Sequence, residues 1–423
     1  MSVSTNTIII IGAGPKAMAI AAKSLAMRKI GLNPPKIHII ERNQIGANWK
    51  GSAGFTNGKM DLGTSPEKDI GFPYQSTPEI NRIMWDFSWH SFLTAIGEYA
   101  NWIDRGRPAP SHEKWGAYLS FVADHFDDSI TISYGSVVEI DKKNNEWRVG
   151  VENFDGVKSS ALGIGLVVTG PGKAKMNIGM GDDTQDSVYD LESFWKKINH
   201  EAAFGRVKKV AIVGAGENAA SCVLALHGHY GSSIQIDIIS PMGSVYSRGE
   251  SHFENRVYSN PKEGKWNKLS LKDRKEFIAR TDLGVFSVHA MGLLNKFSFV
   301  NIVPGRARKI YRNVLENNLS LEVSYHDEVE VLDYDKVIMA TGHDQLAFLD
   351  ELLTSSAREA LLKTEIKALT SEEVSQHIDG DLSLKNFFPK LHLPMVSGIS
   401  QGPGFANLSS LGRLSDQILN GYL

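Results

Sequence analysis

Two glycine turns carry most of the chemistry this sequence can do. The first, Gly12-Ala13-Gly14-Pro15-Lys16-Ala17, follows the apolar run "TIIII" and opens a small-residue pattern with helical spacing. The second, Gly214-Ala215-Gly216-Glu217-Asn218-Ala219, follows "VAIV" and opens a similar pattern. A strand that stops at glycine and turns sharply into a helix aims several backbone N–H groups at one point. The helix dipole adds positive potential there, so a pyrophosphate is held without a cationic side chain. Gly12 and Gly214 permit the tight turn, Gly14 and Gly216 let phosphate touch backbone, and Ala17 and Ala219 let helix pack on strand. One such match is a weak signal. Two, each set between an apolar strand pattern and a helix pattern, point to two dinucleotides.

The strand after each turn separates the two nucleotides. "KIHIIE" ends in Glu41, where a carboxylate can accept from ribose hydroxyls; this suits an adenosine with a free 2′-hydroxyl, such as FAD. After the second turn, "IQIDIIS" ends in Ser240, with Arg248 beyond it. A missing acid and a nearby guanidinium favour a 2′-phosphate, hence NADPH. Thr341-Gly342, closing a later buried strand, joins the expected cofactor set. The chemistry expected of such a pair is hydride transfer from NADPH to FAD.

The elements that must position these turns read as α/β. A chain of 423 residues with 42% hydrophobic residues can bury two moderate cores. The expected fold is two Rossmann-like dinucleotide-binding domains of the two-domain flavoprotein type, with antiparallel meanders and a small substrate-binding region. Residues 129–156 and 319–344 alternate apolar and polar side chains and are predicted as the meanders. Residues 78–102 are predicted helical, as are 112–126. The expected division is an FAD domain at 1–203, an NADPH domain with substrate-lining segments at 204–332, and a return to the FAD domain plus a substrate-binding C-terminal segment at 333–423.

Composition excludes several classes. A formal charge of −3 and no basic patch with interleaved aromatics argue against nucleic acid or an anionic membrane as partner. The single cysteine, Cys222, excludes an intrachain disulfide and a Cys-x-x-Cys redox pair, and reads as a small buried residue. No apolar stretch approaches the roughly 20 residues that span a bilayer, and the N-terminus lacks a basic signal region, so a cytoplasmic protein is expected. No metal cluster is expected. With a dithiol excluded, molecular oxygen is the remaining oxidant for the reduced flavin.

At "IIGAGPKAMAIA", "MDLGTSPEKD" (60–69), "SRGESHFENRVY" (247–258), "VIMATGH" (337–343) and "GFANLSSL" (404–411), the chain resembles the flavin-dependent N-hydroxylating monooxygenases of siderophore biosynthesis. The resemblance covers most of the chain. It implies FAD, NADPH and O2, a C4a-hydroperoxyflavin, and a small primary amine converted to a hydroxylamine for a hydroxamate; family members often form homo-oligomers. It puts Asn255 in the lining of the amine pocket, Lys68 at a substrate carboxylate, Trp49 over the cofactor region, Asp61 in place of a flavin-side glutamine, and Ser409 among the substrate residues. About two residues are inserted before Lys68. At the position of a polar substrate contact the chain carries Val285, and the family's Gly-Leu-Ser-Asp reads Gly404-Phe405-Ala406-Asn407. A head-group set that has lost polar contacts should prefer an amine without an amino-acid head. That pattern resembles histamine N-hydroxylases, with putrescine, cadaverine, lysine and ornithine hydroxylases as alternatives. A carbon- or sulfur-oxidising flavin monooxygenase and an NADPH–flavin reductase are more remote.

Overall fold

The computed structural model describes residues 6–51, 56–199, 204–313 and 315–423. The apolar run Thr7–Ile11 forms the middle strand of a five-stranded parallel sheet in the order Lys390–His392, Gly165–Val168, Thr7–Ile11, Lys36–Glu41, Ile130–Tyr134. Ile8, Ile9 and Ile10 have no exposed surface, as a strand covered on both faces requires. The helix Pro15–Lys29 lies on one face of this sheet, buried from Lys16 to Met27, and packs against the C-terminal helix Leu411–Asn420. Alanines at 17, 19, 21 and 22 allow the close approach, and Pro15 at the first turn pre-sets the helical φ.

A second five-stranded parallel sheet runs in the order Val188–Asp190, Lys336–Met339, Lys209–Val213, Gln235–Ser240, Val300–Pro304, with the helix Glu217–Tyr230 on its face. Cys222 is fully buried on that helix, and burial raises its thiol well above the usual range. The two crossings between the sheets pair with each other, Lys173–Ala174 running antiparallel to His343–Asp344. Antiparallel meanders accompany each sheet, Ser136–Gly163 at the first and Arg306–Tyr334 at the second.

Two expectations are corrected. Ile130–Tyr134 is a parallel edge strand and not the start of a meander, because the helix His112–Ala123 returns the chain in a crossover beside Lys36–Glu41. The boundaries at 203/204 and 332/333 cut through the second sheet, since Val188–Asp190 and Lys336–Met339 both belong to it. Residues 78–102 are helical as expected, in three short helices, the first two started by Thr77 and Ser88 side chains accepting from Ile80 and Ser91 N–H groups. Among the described residues no helix is long and apolar enough to cross a membrane.

Candidate active site

The first turn is shaped for an anion. Gly12 has φ +93°, and a Cβ there would stand 2.8 Å from Thr169 Oγ1, whose hydroxyl donates to the Ile11 carbonyl at 2.8 Å. Gly14 caps the helix in extended conformation, and a Cβ on it would meet nothing within 4 Å. The space beside Gly14 is therefore open, as the close approach of a pyrophosphate to backbone requires. Ala17 is fully buried against the strand. Glu41 sits at the mouth, its carboxylate accepting from Ala13 N and Asn43 N, both at 2.7 Å. Trp49 meets His112 edge-on with centroids 5.0 Å apart and packs on the first core. Burial pulls the His112 imidazole down to about 4.

The second turn repeats the construction. Gly214 has φ +119°, and a Cβ would come within 2.4 Å of the Ala340 carbonyl oxygen. Gly216 caps the helix, Ala219 is fully buried, and Asn218 is exposed. Glu217 accepts from Ser287 N at 2.6 Å and Ser287 Oγ at 2.8 Å. Thr341 Oγ1 donates to the Lys175 carbonyl at 2.7 Å, and Gly342, with φ +84°, leaves its surroundings open. Ser240 is buried, its hydroxyl turned to the Ser244 carbonyl at 2.8 Å.

Loop 59–63 of the first half lies against this second turn. Gly63 faces Glu217, and Asp61, expected beside the flavin, directs its carboxylate to His289 Nε2 at 3.1 Å. These residues, with Met60, Ser221 and Ser287, line a cleft of about 180 Å³. Arg248 enters the same junction. Its backbone N–H donates to the Phe286 carbonyl at 2.7 Å, which draws it toward segment 285–287. Its guanidinium donates to the Gly63 carbonyl at 3.4 Å and stands 3.9 Å from both Glu217 and Glu250. The 2′-phosphate expectation did not foresee these partners. Arg248 Nε is buried without a hydrogen-bond partner.

Lys68 and Asn255, separated by 187 positions, meet here: Lys68 Nζ donates to Asn255 Oδ1 at 2.7 Å, while Asn255 Nδ2 donates to the Glu250 carbonyl at 2.7 Å. A capping box of Ser251 and Glu254 sets the start of the helix His252–Ser259 and so aims Asn255. Burial lowers the Lys68 ammonium from its ordinary value, Glu250 opposing and Arg248 adding to the shift. Ser409 is buried, its N–H donating to Asn407 Oδ1 at 3.0 Å. Val285 is 2% exposed and pairs with Tyr246 in a short parallel ladder.

Two groups escaped the sequence reading. Lys16, inside the first glycine motif, donates to the Ala406 carbonyl at 2.9 Å; burial pulls it down to about 8 against the field of Asp282. Asp282 follows the helix Leu271–Thr281 and hydrogen-bonds the Asn407 side chain. Burial raises its carboxyl, opposed by Arg248, Asn407 and Lys16. The motif flagged Lys16 only as a filler position, and no motif flagged Asp282.

Two parallel-sheet cradles with a polar junction between them define a two-dinucleotide oxidoreductase of the flavoprotein type. The family model described as L-lysine 6-monooxygenase/L-ornithine 5-monooxygenase matches residues 4–345, and the chain belongs to that family of amine N-monooxygenases. Relatives include the L-lysine N6-monooxygenase MbtG of Mycolicibacterium paratuberculosis, 37% identical with 99% of this chain and 96% of that protein covered. Another, from Mycobacterium sp., is 38% identical over 99% of this chain and 96% of its own. The lysine monooxygenase NbtG from Nocardia farcinica superposes with TM-score 0.83 at 37% identity, covering 97% of this chain and 98% of that one. A Kutzneria ornithine N-hydroxylase shares the fold, with TM-score 0.77 at 17% identity over 99% of both chains.

Proposed function

We propose that this protein N-hydroxylates the side-chain amine of L-lysine, using NADPH and O2 with FAD, to supply a hydroxylamine for a siderophore hydroxamate. The contact of Lys68 with Asn255 carries the substrate reading. An ammonium and a carboxamide from distant parts of the chain converge at the junction of the two cradles, the donor set a carboxylate needs. Histamine has no carboxylate to offer them. The apolar Val285 that favoured histamine is buried, and the Lys68–Asn255 pair remains to meet an amino-acid head group. Relatives at 37–38% identity bearing the lysine N6-monooxygenase name support the same substrate.

The open face of Gly14, the fixed Glu41 and the buried Ala17 suit FAD at the first turn; Gly216, Glu217, Thr341 and Gly342 would frame NADPH at the second. Bound flavin supplies the two electrons that split O2, one oxygen atom going to the amine nitrogen and the other to water. The chain itself must orient lysine by its head, leaving the far amine to reach the flavin side. The amine reacts only in its neutral form, so turnover rises with pH as it deprotonates.

Steady-state NADPH oxidation and hydroxylamine release, compared for L-lysine, L-ornithine, cadaverine and histamine, test the proposal. L-lysine should give the highest kcat/KM with hydroxylamine formed one-for-one with NADPH. A higher value for histamine would overturn it.

A further inference from the structure

The first glycine turn is poorer in donors than its sequence pattern promises. Pro15 opens the helix and has no N–H to give, and the Ala13 N–H is taken by the Glu41 carboxylate at 2.7 Å. That carboxylate also sets a negative charge at the mouth of the turn. The next helical position carries a lysine. Lys16 is 9% exposed, and its ammonium donates to the Ala406 carbonyl at 2.9 Å. Among the described residues it makes no direct ion pair. Asp282 acts on it through space only, and that carboxylate is already shared with the Asn407 side chain and the field of Arg248. The remaining acids on the elements packed around it are engaged: Glu41 by Ala13 and Asn43, and Asp416 of the C-terminal helix by Lys23 at 2.8 Å.

A buried ammonium without a direct anion is costly, and an anion brought near it relieves that cost. The backbone N–H of Lys16 belongs to the donors at the helix start. A phosphate seated there lies about a Debye length or less from the ammonium on the same residue, in a region that salt screens weakly. We propose that Lys16 is the buried cation of the flavin site, acting through space on the pyrophosphate and making up for the donors lost to Pro15 and Glu41. This rests on the reading of the first turn as the flavin cradle and deepens it. FAD and the Lys16 proton are then linked ligands. In the chain itself burial holds the ammonium at about 8, and a neighbouring dianion raises it. FAD therefore binds with uptake of a proton in mild alkali, and its affinity declines as pH climbs past about 8, where Lys16 loses its charge.

Titration calorimetry of the deflavinated full chain with FAD, in buffers of different ionisation enthalpy, counts the protons. At about pH 8.5 the unsubstituted protein should take up about half a proton per FAD. Its Kd should rise about 5- to 10-fold from about pH 7 to about pH 9.5, the effect of charges about 10 Å apart at an effective dielectric of about 20. Lys16→Met should bind FAD about tenfold more weakly at about pH 7, without that proton uptake and with a Kd that stays flat into alkali. Lys16→Arg, charged throughout, should keep the neutral-pH affinity with the same flat profile. A lysine that only clamps the C-terminal segment would lower the melting temperature of Lys16→Met and leave proton uptake as it was, which would overturn the proposal. If Lys16→Met does not fold, the unsubstituted protein decides: uptake supports the proposal, and no uptake or a release sinks it. Unchanged FAD affinity in Gly14→Ala instead removes the cradle reading. Weakened binding there, with no proton linkage in the unsubstituted protein, removes the role of Lys16 alone.

Discussion

Gly14→Ala separates the role of the first turn from the stability of the fold. Gly14 sits at φ −88° and ψ −173°, a backbone that alanine adopts freely. A methyl added there meets no atom within 4 Å. The protein without cofactor should keep its stability to within about 1 kcal/mol, the stiffer unfolded chain adding about 0.4–1 kcal/mol and the weaker alanine cap removing a similar amount. The methyl does enter the space where a pyrophosphate would touch backbone, and overpacking of that kind costs about 1–3 kcal/mol, or roughly a 5- to 150-fold weaker flavin affinity. Gly214→Ala is the contrasting change. At φ +119° with Ala340 O only 2.4 Å from the new carbon, it strains the backbone by about 1–3 kcal/mol before any cofactor is considered, and should lower the melting temperature. The assay is a thermal melt of deflavinated protein, followed by flavin titration. If Gly14→Ala melts normally and binds flavin with unchanged affinity, the first turn is not the flavin's pyrophosphate cradle.

Other outcomes follow from the same structure. Lys68→Met should raise KM for L-lysine about tenfold or more with a smaller change in kcat, because it removes a charged donor from the head group; steady-state kinetics measure this. In the unsubstituted protein KM for L-lysine should climb in alkali below the ordinary lysine value of 10.5, since burial lowers Lys68 and only its protonated form pairs a carboxylate; Lys68→Arg should move that limb upward. Lys16 has a folded value of about 8 against 10.5 unfolded, so below pH 8 its burial penalty, ~3 kcal/mol, is fully present, and it is relieved as pH rises toward 10.5. Stability relative to Lys16→Met should therefore improve between pH 8 and pH 10.5, as melts across that range would show. Glu217→Gln keeps acceptor and donor for Ser287 while removing a negative charge from the second cradle; KM for NADPH should fall several-fold, and a rise would assign the carboxylate a favourable cofactor contact.

The two cradles were legible in the sequence because their signals are local. A buried strand, a glycine at positive φ and a small-residue helix occupy a few consecutive positions, and Gly12, Gly14 and Glu41 stand where that grammar puts them. The helix–strand alternation likewise announced two parallel sheets. Ile130–Tyr134 was misread because a half-buried edge strand alternates like a meander strand, and alternation does not report the direction of its neighbour. The domain boundaries failed for a related reason: the strands Val188–Asp190 and Lys336–Met339 join the second sheet from outside the range its glycine turn marks. The junction was the least legible. Lys16 with Ala406, Asp282 with Asn407, and Arg248 with Gly63 are pairs far apart in the chain. Val285 was assigned by register within a resemblance, and a short β-ladder buries it.

The most direct measurement of the central claim is a single turnover. Flavin-loaded protein is reduced without air by one equivalent of NADPH, then mixed with aerated buffer containing L-lysine. The yellow colour should bleach on NADPH and return with air, with close to one N6-hydroxylysine formed per flavin. Colour that does not respond to NADPH, or full return of colour with hydrogen peroxide as product and L-lysine untouched, would contradict it.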